Sequence, residues 1–267
     1  MKYIYGFYLS ILLYPYLYIK GERIKKSVPK LAEAAGKKGI YKAGSKEVTT
    51  KSILLVGEST IAGVGVNTHE EGLAGTIAKT LSIKYDINIK WKVHAKSSYT
   101  VNEIRRNILP TLNEERIDVF IIGVGGNDAL QLNNPKKWDR EIRVLIDMIV
   151  KKHPTSAILF CALPPIKEIL AFPLLIRLVV GSLIDIYRDV LQKISTEYKN
   201  VYFCSDMITI VKWRLKYELD IKYEEFFSDG IHPSKLSYQL WARDIVTDIV
   251  GFDILKTTFT KQSYLSM

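Results

Sequence analysis

The sequence has few of the residues that build metal centres or disulfide frameworks, with only four histidines and two cysteines among 267 residues. Cys161 and Cys204 lie in apolar, strand-like segments and have no neighbour at a metal-ligand spacing, so we expect two buried free thiols. His69 and His153 stand beside charged residues or proline, and we expect both at the surface. The sequence therefore predicts no metal site, and no motif in it implies an organic cofactor.

The chain also lacks the motifs of nucleic-acid-binding proteins, although its net charge is +10. Residues 1–51 carry 11 basic and three acidic side chains, so the remainder is close to neutral. No zinc-finger spacing, RNP-like motif or basic helical stripe occurs in that remainder. The basic charge is therefore a local feature, and we expect no nucleic-acid partner and no obligatory protein partner.

Residues 3–19 form an apolar, tyrosine-rich run without charge, and lysines and arginines follow at once. The run is near the lower length limit for a bilayer span and contains Gly6 and Pro15. A tilted span, an interfacial helix and a buried helix of the globular core therefore remain alternatives. No small-residue cleavage site follows the run. We expect residues 3–30 to bind a membrane surface, with the rest of the chain in the cytoplasm by the positive-inside rule; the alternative is an exported, membrane-anchored protein.

Periodicity beyond this segment indicates an α/β fold. Runs rich in β-branched or aromatic residues predict five strands, at residues 53–56, 89–94, 119–124, 157–162 and 201–204. Helical periods between them predict helices over residues 71–83, 101–112, 136–151, 183–198 and 235–250. Most of the strands are apolar without alternation, as in a parallel sheet buried on both faces. We predict a three-layer α/β/α sandwich with a five-stranded parallel sheet of flavodoxin-like topology over residues 52–267, preceded by residues 1–51 as the membrane-associating segment and a basic linker.

Three short motifs carry the chemistry of the chain. They read Gly57-Glu58-Ser59-Thr60, Gly125-Gly126-Asn127-Asp128 and Asp229-Gly230-Ile231-His232-Pro233. In a doubly wound sheet the residues after the first and third strands lie side by side, which predicts that Ser59 and Asn127 are close together. Combined, the motifs offer a nucleophile, an oxyanion donor, and a base with its orienting carboxylate.

Each of these residues also has a structural interpretation. Ser59 is well placed to cap a helix, and Asn127 is a common turn residue. Asp229 and His232 fit a helix cap with a surface histidine equally well. The glycines before Asn127 also fit a dinucleotide-binding loop, but Asp128 stands where the third glycine would be. The order of the three motifs together favours serine hydrolysis over these alternatives.

With all three motifs in this order, residues 52–250 resemble the SGNH hydrolases, also called GDSL esterases and lipases. The stretch LLVGESTIAGVGVNTHEEGLAG is similar to a bacterial branch of that family. The resemblance implies a serine hydrolase whose catalytic residues are Ser59, Asp229 and His232. It also implies an oxyanion hole formed by Ser59, Ser98 and Asn127.

Two positions depart from the family pattern. Glu58 stands where aspartate is usual, and Ser98 stands where a glycine usually gives its backbone N–H to the oxyanion hole. Because a backbone donor needs no particular side chain, we expect Ser98 to serve provided that its φ angle is not positive.

The apolar segment over residues 163–186 fits ordinary core, and its functional alternative is a lid or an acyl-chain wall that could also contact a membrane surface. Its candidate substrate-binding residues are Phe172, Leu174, Leu175 and Ile176. The insertion over residues 206–228, with Trp213 and Tyr217, is expected to close the other side. We therefore expect an esterase of acyl esters or thioesters, with a lipid-like substrate of the lysophospholipase type. The alternatives are a glycan O-acetyl esterase and, from another class, a catalytically decayed, membrane-tethered binding protein.

Overall fold

The computed structural model describes residues 29–44 and 48–255. The apolar run of residues 3–19, and nearly all of the predicted membrane-binding segment 3–30, lie outside the described residues. Within the part of the chain that the structure describes, no helix is long and apolar enough to cross a membrane.

Six strands form one sheet in the order β1-β3-β2-β4-β5-β6. The strands are β1 (Lys38–Tyr41), β2 (Thr50–Gly57), β3 (Asn88–Ala95), β4 (Val119–Gly123), β5 (Ala157–Phe160) and β6 (Val201–Phe203). The five strands from β2 to β6 are parallel and follow the flavodoxin order, which confirms the predicted fold class. β4 and β5 are buried along their whole length, which is why they read as unbroken apolar runs.

The sheet has six strands rather than the predicted five because part of the predicted linker joins it. β1 pairs antiparallel with β3, and Lys38 is the register partner of Lys92. Before β1, the buried Ala34 donates its N–H to the Ala62 carbonyl at 3.0 Å. The folded unit therefore begins ahead of the predicted boundary at residue 52. The side chains of β1 are only partly buried or exposed, so the sequence carries no strong apolar signal there.

Seven helices cover the two faces of the sheet in the described residues. They are α1 (Leu73–Tyr85), α2 (Val101–Glu103), α3 (Gly126–Leu130), α4 (Pro135–Lys152), α5 (Leu174–Glu197), α6 (Ile210–Tyr217) and α7 (Lys235–Gly251). α2 continues as a π turn (Ile104–Ile108) and a 3₁₀ turn (Leu109–Thr111). The buried faces of α1, α6 and α7 form one core with the sheet, and those of α2, α4 and α5 form the other. This arrangement confirms the three layers.

The helix boundaries differ from the predicted ones where local signals compete. Pro135 opens α4 as predicted, behind Asn134, whose side chain accepts from the Lys136 N–H. Pro233 does not open α7, which begins after Ser234, a side-chain cap on the Ser237 N–H. α5 begins nine residues before its predicted start. α3 and α6 were not predicted because they are too short to show a helical period.

The strand order reverses between β2 and β4, and this reversal creates the place where polar side chains meet. Gly57 and Gly123, the last residues of the two strands, are register partners. A Cβ atom on Gly57 would lie 2.2 Å from the Gly123 carbonyl oxygen, so no side chain fits there. The chain therefore leaves both strands at the same point on the carboxyl edge of the sheet, as a doubly wound fold requires.

Candidate active site

Ser59 lies in a tight turn directly after β2. The turn is held by the Ala62 N–H bonded to the Glu58 carbonyl at 2.8 Å and by the Val64 N–H bonded to the Ser59 carbonyl at 3.1 Å. The Ser59 side chain is half-buried, and among the described residues its hydroxyl has no hydrogen-bond partner. The capping alternative is therefore wrong, because a capping serine accepts from a backbone N–H two or three residues later.

Asp229 and His232 form a hydrogen-bonded pair. His232 Nδ1 lies 2.7 Å from Asp229 Oδ2, and the other carboxylate oxygen accepts the backbone N–H groups of Ile231 and His232 at 2.9 and 2.8 Å. Burial alone would raise the pKa of the Asp229 carboxyl, but the hydrogen bonds from His232 and Ile231 outweigh it and hold that pKa below its usual value. An ionised Asp229 fixes the proton on Nδ1 and leaves His232 Nε2 as an acceptor.

The loop that carries His232 is held by contacts at both of its ends. Phe227 and Pro233 form an isolated antiparallel bridge, and the Ser228 N–H donates to the His232 carbonyl at 2.9 Å. The Ser228 hydroxyl is 2.9 Å from both the Pro233 and the Gly65 carbonyl oxygens. This hydroxyl therefore ties the His232 loop to the turn that follows Ser59.

Glu58 holds the third motif in place, a role that the sequence did not reveal. Its carboxyl oxygens accept the Gly126 N–H at 2.8 Å and the Asn127 N–H at 2.9 Å, at the start of α3. Glu58 is only 5% exposed. Burial raises the pKa of its carboxyl to about 8, against the opposing effect of the Asn127 and Gly126 donors. The only signal in the sequence was a charged residue directly after a fully apolar strand.

Asn127 joins this loop to the loop after β3. Its side-chain Nδ2 donates to the Tyr99 carbonyl at 3.0 Å. An amide nitrogen carries two hydrogens, of which this bond uses one, and the same side chain helps to lower the pKa of Glu58 against the effect of burial. The neighbouring Asp128 accepts the Val101 N–H at 2.9 Å and so anchors the start of α2.

Ser98 adopts the left-handed conformation, with a φ angle of +68°. The condition under which Ser98 was expected to serve as the donor, a φ angle that is not positive, is therefore not met. The backbone takes the shape that a glycine takes easily, which explains why a glycine is usual at this position. The neighbouring N–H groups are bonded, Ser97 to Glu33 Oε1 at 2.9 Å and Tyr99 to the Lys96 carbonyl at 3.3 Å. Within residues 29–44 and 48–255, the N–H groups of Ser98 and Ser59 have no hydrogen-bond partner.

A small apolar cleft of about 70 Å³ opens at this edge of the sheet, and its lining residues do not include Ser59, Ser98, Asn127 or His232 themselves. Its wall includes Glu58 and Thr60, which flank Ser59, and Ile231 and Pro233, which flank His232. The rest of the wall is mostly aliphatic and aromatic, and it includes Ile169, Ile208, Ile210, Trp213, Phe226, Phe227 and Trp241. Of the two aromatic residues expected to close the other side of the site, Trp213 lies in this wall, whereas the Tyr217 hydroxyl donates to Asp244 at 2.8 Å.

The four predicted substrate-binding residues do not line this cleft. Phe172 and Ile176 are buried in the core beneath α5, and Leu175 packs partly against that core. Leu174 is 65% exposed. Leu174, Leu175 and Ile176 lie in the first turn of α5, where successive side chains point in different directions. The helix therefore directs some of them to the core and others to solvent. From the predicted apolar segment, Ile169 and the prolines before it reach the cleft instead.

Other titratable residues take structural positions. His69 and His153 are buried, so the prediction that they lie at the surface is wrong. Burial lowers the pKa of His69 to about 4. His94 Nε2 lies 2.8 Å from Glu114 Oε1. Cys161 and Cys204 are free and buried, as predicted. The described residues contain no cluster of histidine, cysteine and carboxylate side chains that could hold a metal ion.

Comparison with known proteins places these motifs in one family. Residues 55–240 match the model of the GDSL-like lipase/acylhydrolase family. This match covers all three motifs and more than half of the chain.

Solved bacterial structures share the fold at low sequence identity. A family 3 carbohydrate esterase from Clostridium thermocellum is 21% identical, with a TM-score of 0.54 over 76% of this chain and 97% of that one. The lipase Lip_vut3 from a goat rumen metagenome is 17% identical, with a TM-score of 0.57 over 74% and 97%. A lipase/acylhydrolase from Enterococcus faecalis is 17% identical, with a TM-score of 0.54 over 75% and 96%. These similarities show the fold.

Proposed function

The chain belongs to the GDSL-like lipase/acylhydrolase family and is an ester-bond hydrolase, and we propose that it uses Ser59, His232 and Asp229 to hydrolyse lipid-like acyl esters or thioesters. The observation that carries the mechanism is the 2.7 Å hydrogen bond between Asp229 and His232 Nδ1, in a loop tied to the turn after Ser59. Nε2 is then the nitrogen available to a serine proton.

The first half of the reaction forms an acyl-enzyme. Ser59 Oγ attacks the ester carbonyl carbon while its proton moves to His232 Nε2. The imidazolium is stabilised by the ionised Asp229. Collapse of the tetrahedral intermediate breaks the bond to the alcohol or thiol, which leaves with the proton from Nε2.

The second half repeats these steps with water. His232 Nε2 takes a proton from the water as its oxygen attacks the acyl carbon, and Ser59 Oγ leaves with that proton. The product is a carboxylic acid, which ionises at neutral pH. No step consumes a cofactor.

The negative oxygen that develops in both halves needs donors that are already in place. The N–H groups of Ser59 and Ser98 and the second hydrogen of Asn127 Nδ2 are the candidates, and they follow three adjacent strands of the sheet. We keep the Ser98 N–H among the proposed donors because it has no partner among the described residues, although the residue adopts the left-handed backbone that glycine takes more easily. Fixed donors of this kind are worth roughly 3–4 kcal/mol each to the transition state.

The apolar wall of the cleft favours an acyl chain over a sugar as the group beside Ser59. A carbohydrate esterase shares the fold, so a glycan O-acetyl ester is the second candidate. Rates on esters of increasing chain length distinguish the two. A lipid-like substrate class predicts kcat/KM that rises with acyl length, whereas an O-acetyl esterase prefers acetate and loses activity beyond it.

Covalent labelling with a fluorophosphonate tests the mechanism directly. We expect one adduct, on Ser59, that is absent in Ser59→Ala and strongly slowed in His232→Ala. Ser52, a half-buried serine of β2 at the opposite edge of the sheet, serves as the control through Ser52→Ala, which should leave labelling unchanged. If folded wild-type protein formed no adduct and hydrolysed none of the esters, the decayed binding protein would be the better interpretation.

A further inference from the structure

α5 extends well beyond the carboxyl edge of the sheet. Tyr187 marks the level of that edge, since it lies against Gly125, two residues after β4, and its hydroxyl donates to the Asn133 carbonyl at 2.8 Å. The 13 helical residues before Tyr187 rise about 1.5 Å each, so this part of α5 reaches roughly 20 Å further. The chain therefore builds a helical wall beside the entrance to the cleft.

The outer face of this wall is apolar, and the outer face of α6, on the other side of the sheet, alternates apolar and basic side chains. α5 and α6 follow the carboxyl ends of β5 and β6, and the Ile210 N–H at the start of α6 donates to Glu168 Oε2 at 3.1 Å. We define the edge patch as the exposed apolar residues of these segments: Leu170 (57%), Leu174 (65%), Leu178 (52%), Met207 (44%), Val211 (64%) and Leu215 (77%). Clustered exposed side chains of this size mark an interaction surface more often than scattered ones do.

In the two helical stretches of the edge patch the charges have one sign, whereas Glu168 and Asp206 lie beside its loop residues Leu170 and Met207. Residues 174–184 and 210–217 contain no acidic side chain and four basic ones: Arg177, Lys212, Arg214 and Lys216. The Arg177 and Arg214 side chains donate to backbone carbonyls, which leaves their charge uncompensated there, whereas Lys216 is paired with Asp244. Apolar side chains bordered by cations fit the surface of an anionic bilayer.

The chain enters the fold at this same edge. Glu33 accepts the Ser97 N–H at 2.9 Å, next to Ser98 at the carboxyl end of β3. Ten positions separate residue 19, the end of the apolar run, from residue 29, and a chain of that length spans at most about 35 Å. A membrane contact by residues 3–19 would therefore keep residue 29, close to the carboxyl edge, within about 35 Å of the bilayer.

We propose that the edge patch docks on the surface of an anionic phospholipid bilayer and so presents the cleft to acyl substrates that reside there. The substrate part of this inference rests on the proposed function, whereas the contact itself does not.

Fluorescence at single positions tests the contact in the full chain. Leu178→Cys and Leu215→Cys would each be labelled with an environment-sensitive dye, because the two native cysteines are buried. Ile83→Cys is the matched control, since Ile83 is 70% exposed at the end of α1, on the opposite edge of the sheet. With vesicles of phosphatidylcholine and phosphatidylglycerol, we expect a blue shift and quenching by spin-labelled lipid at 178 and 215 and neither at 83.

Three results would overturn the inference. The first is protein that sediments with vesicles while the labels at 178 and 215 remain in water. The second is an equal response at position 83. The third is a blue shift that is already present without vesicles, in protein that sediments as a dimer. That result would mean that the edge patch binds a second copy of the chain.

A kinetic comparison separates this inference from the proposed function. Leu178→Glu and Leu215→Glu should lower turnover of a long-chain ester in vesicles about tenfold each, in line with the loss of one buried leucine, and leave turnover of a soluble short-chain ester unchanged. Ile83→Glu should change neither. Equal loss on both substrates would contradict docking, whereas an inactive wild type would contradict only the catalytic proposal.

Discussion

The Asn127 backbone N–H donates to Glu58 Oε2 at 2.9 Å, so the residue before the proposed nucleophile holds the residue proposed to stabilise the oxyanion. The Gly126 N–H binds the other carboxyl oxygen, and a Cβ atom on Gly126 would lie 2.7 Å from that oxygen. The two motifs are thus one structural unit, although 69 residues separate the bonded pair.

Replacing Glu58 by glutamine should destabilise the protein in a pH-dependent way. The new NH₂ group would face a backbone N–H, and an unpaired buried donor costs roughly 1–3 kcal/mol. Folding raises the pKa of Glu58 from 4.5 to about 8, so the folded state binds this proton more tightly. The stabilisation that the folded state gains from this proton is complete below pH 4.5 and is lost as the pH rises towards 8. Urea unfolding should therefore show a larger wild-type advantage at pH 5 than at pH 8.

The exposed Glu115→Gln serves as the control for that experiment and should leave the free energy of unfolding unchanged at both pH 5 and pH 8. A wild-type advantage that grows between pH 5 and pH 8 would mean that the fold prefers the ionised carboxylate, and the assignment of a raised pKa would be wrong.

Asn127→Ala should lower kcat by about 10²–10³-fold and leave KM nearly unchanged, because the lost hydrogen bond forms only in the transition state. Steady-state kinetics on a soluble ester measure both constants. Asn113→Ala, at an exposed asparagine, is the control. A rise in KM alone would make Asn127 a substrate contact instead.

Ser98→Gly should stabilise the protein slightly and keep activity within a few-fold. A non-glycine residue in the left-handed conformation destabilises the folded state by roughly 1–2 kcal/mol, which glycine would relieve. The greater flexibility of glycine in the unfolded chain offsets roughly 0.5–1 kcal/mol of this gain. Thermal unfolding should show a small rise in Tm. Ser97→Gly, whose φ angle is not positive, should lower it. Activity lost in a folded Ser98→Ala variant would show that the hydroxyl itself takes part.

A chain that begins at Lys51 should be less stable than one that begins at Pro29. The shorter chain lacks β1 and the buried Ala34, and we expect it to lose at least about 2 kcal/mol from the missing ladder and apolar contact. Urea midpoints of the two chains measure the difference. Equal midpoints would show that β1 contributes nothing to the folded unit.

Attachment to membranes should depend on residues 3–30. We expect the full chain to sediment with membranes and a chain beginning at Pro29 to be released by a high-salt wash, since only the weaker surface contact would remain. Charge reversal at Lys20, Arg23, Lys25, Lys26 and Lys30 should weaken attachment without changing turnover of soluble esters. Cleavage of the folded unit by external protease in spheroplasts would favour export over a cytoplasmic position.

The parallel strands and the three motifs could be predicted because their signals are local. A strand buried on both faces must be apolar along its length, and Ser59, Asn127 and His232 stand in short segments with a recognisable residue order. The fold class then placed Ser59 near Asn127, since adjacent carboxyl ends follow from strand order alone.

The rest depended on contacts between distant segments. β1 is an edge strand without an apolar face, and it is recognised only through its pairing with β3. The substrate wall was assigned to Phe172 and its neighbours because their helix was not foreseen. The partners of Glu58 could not be predicted either, because nothing near Glu58 in the sequence points to the Asn127 backbone.

The Ser228 hydroxyl, which bridges the carbonyls of Gly65 and Pro233, joins positions that are 163 residues apart. The turn after Ser59 and the loop that carries His232 are therefore joined only after almost the whole chain has been added to the sheet. Contacts of such long sequence separation are slow to form because loop closure precedes them. Recovery of esterase activity during refolding should thus be slower than the recovery of secondary structure. A newly synthesised chain would hydrolyse no ester until α7 has packed against the sheet.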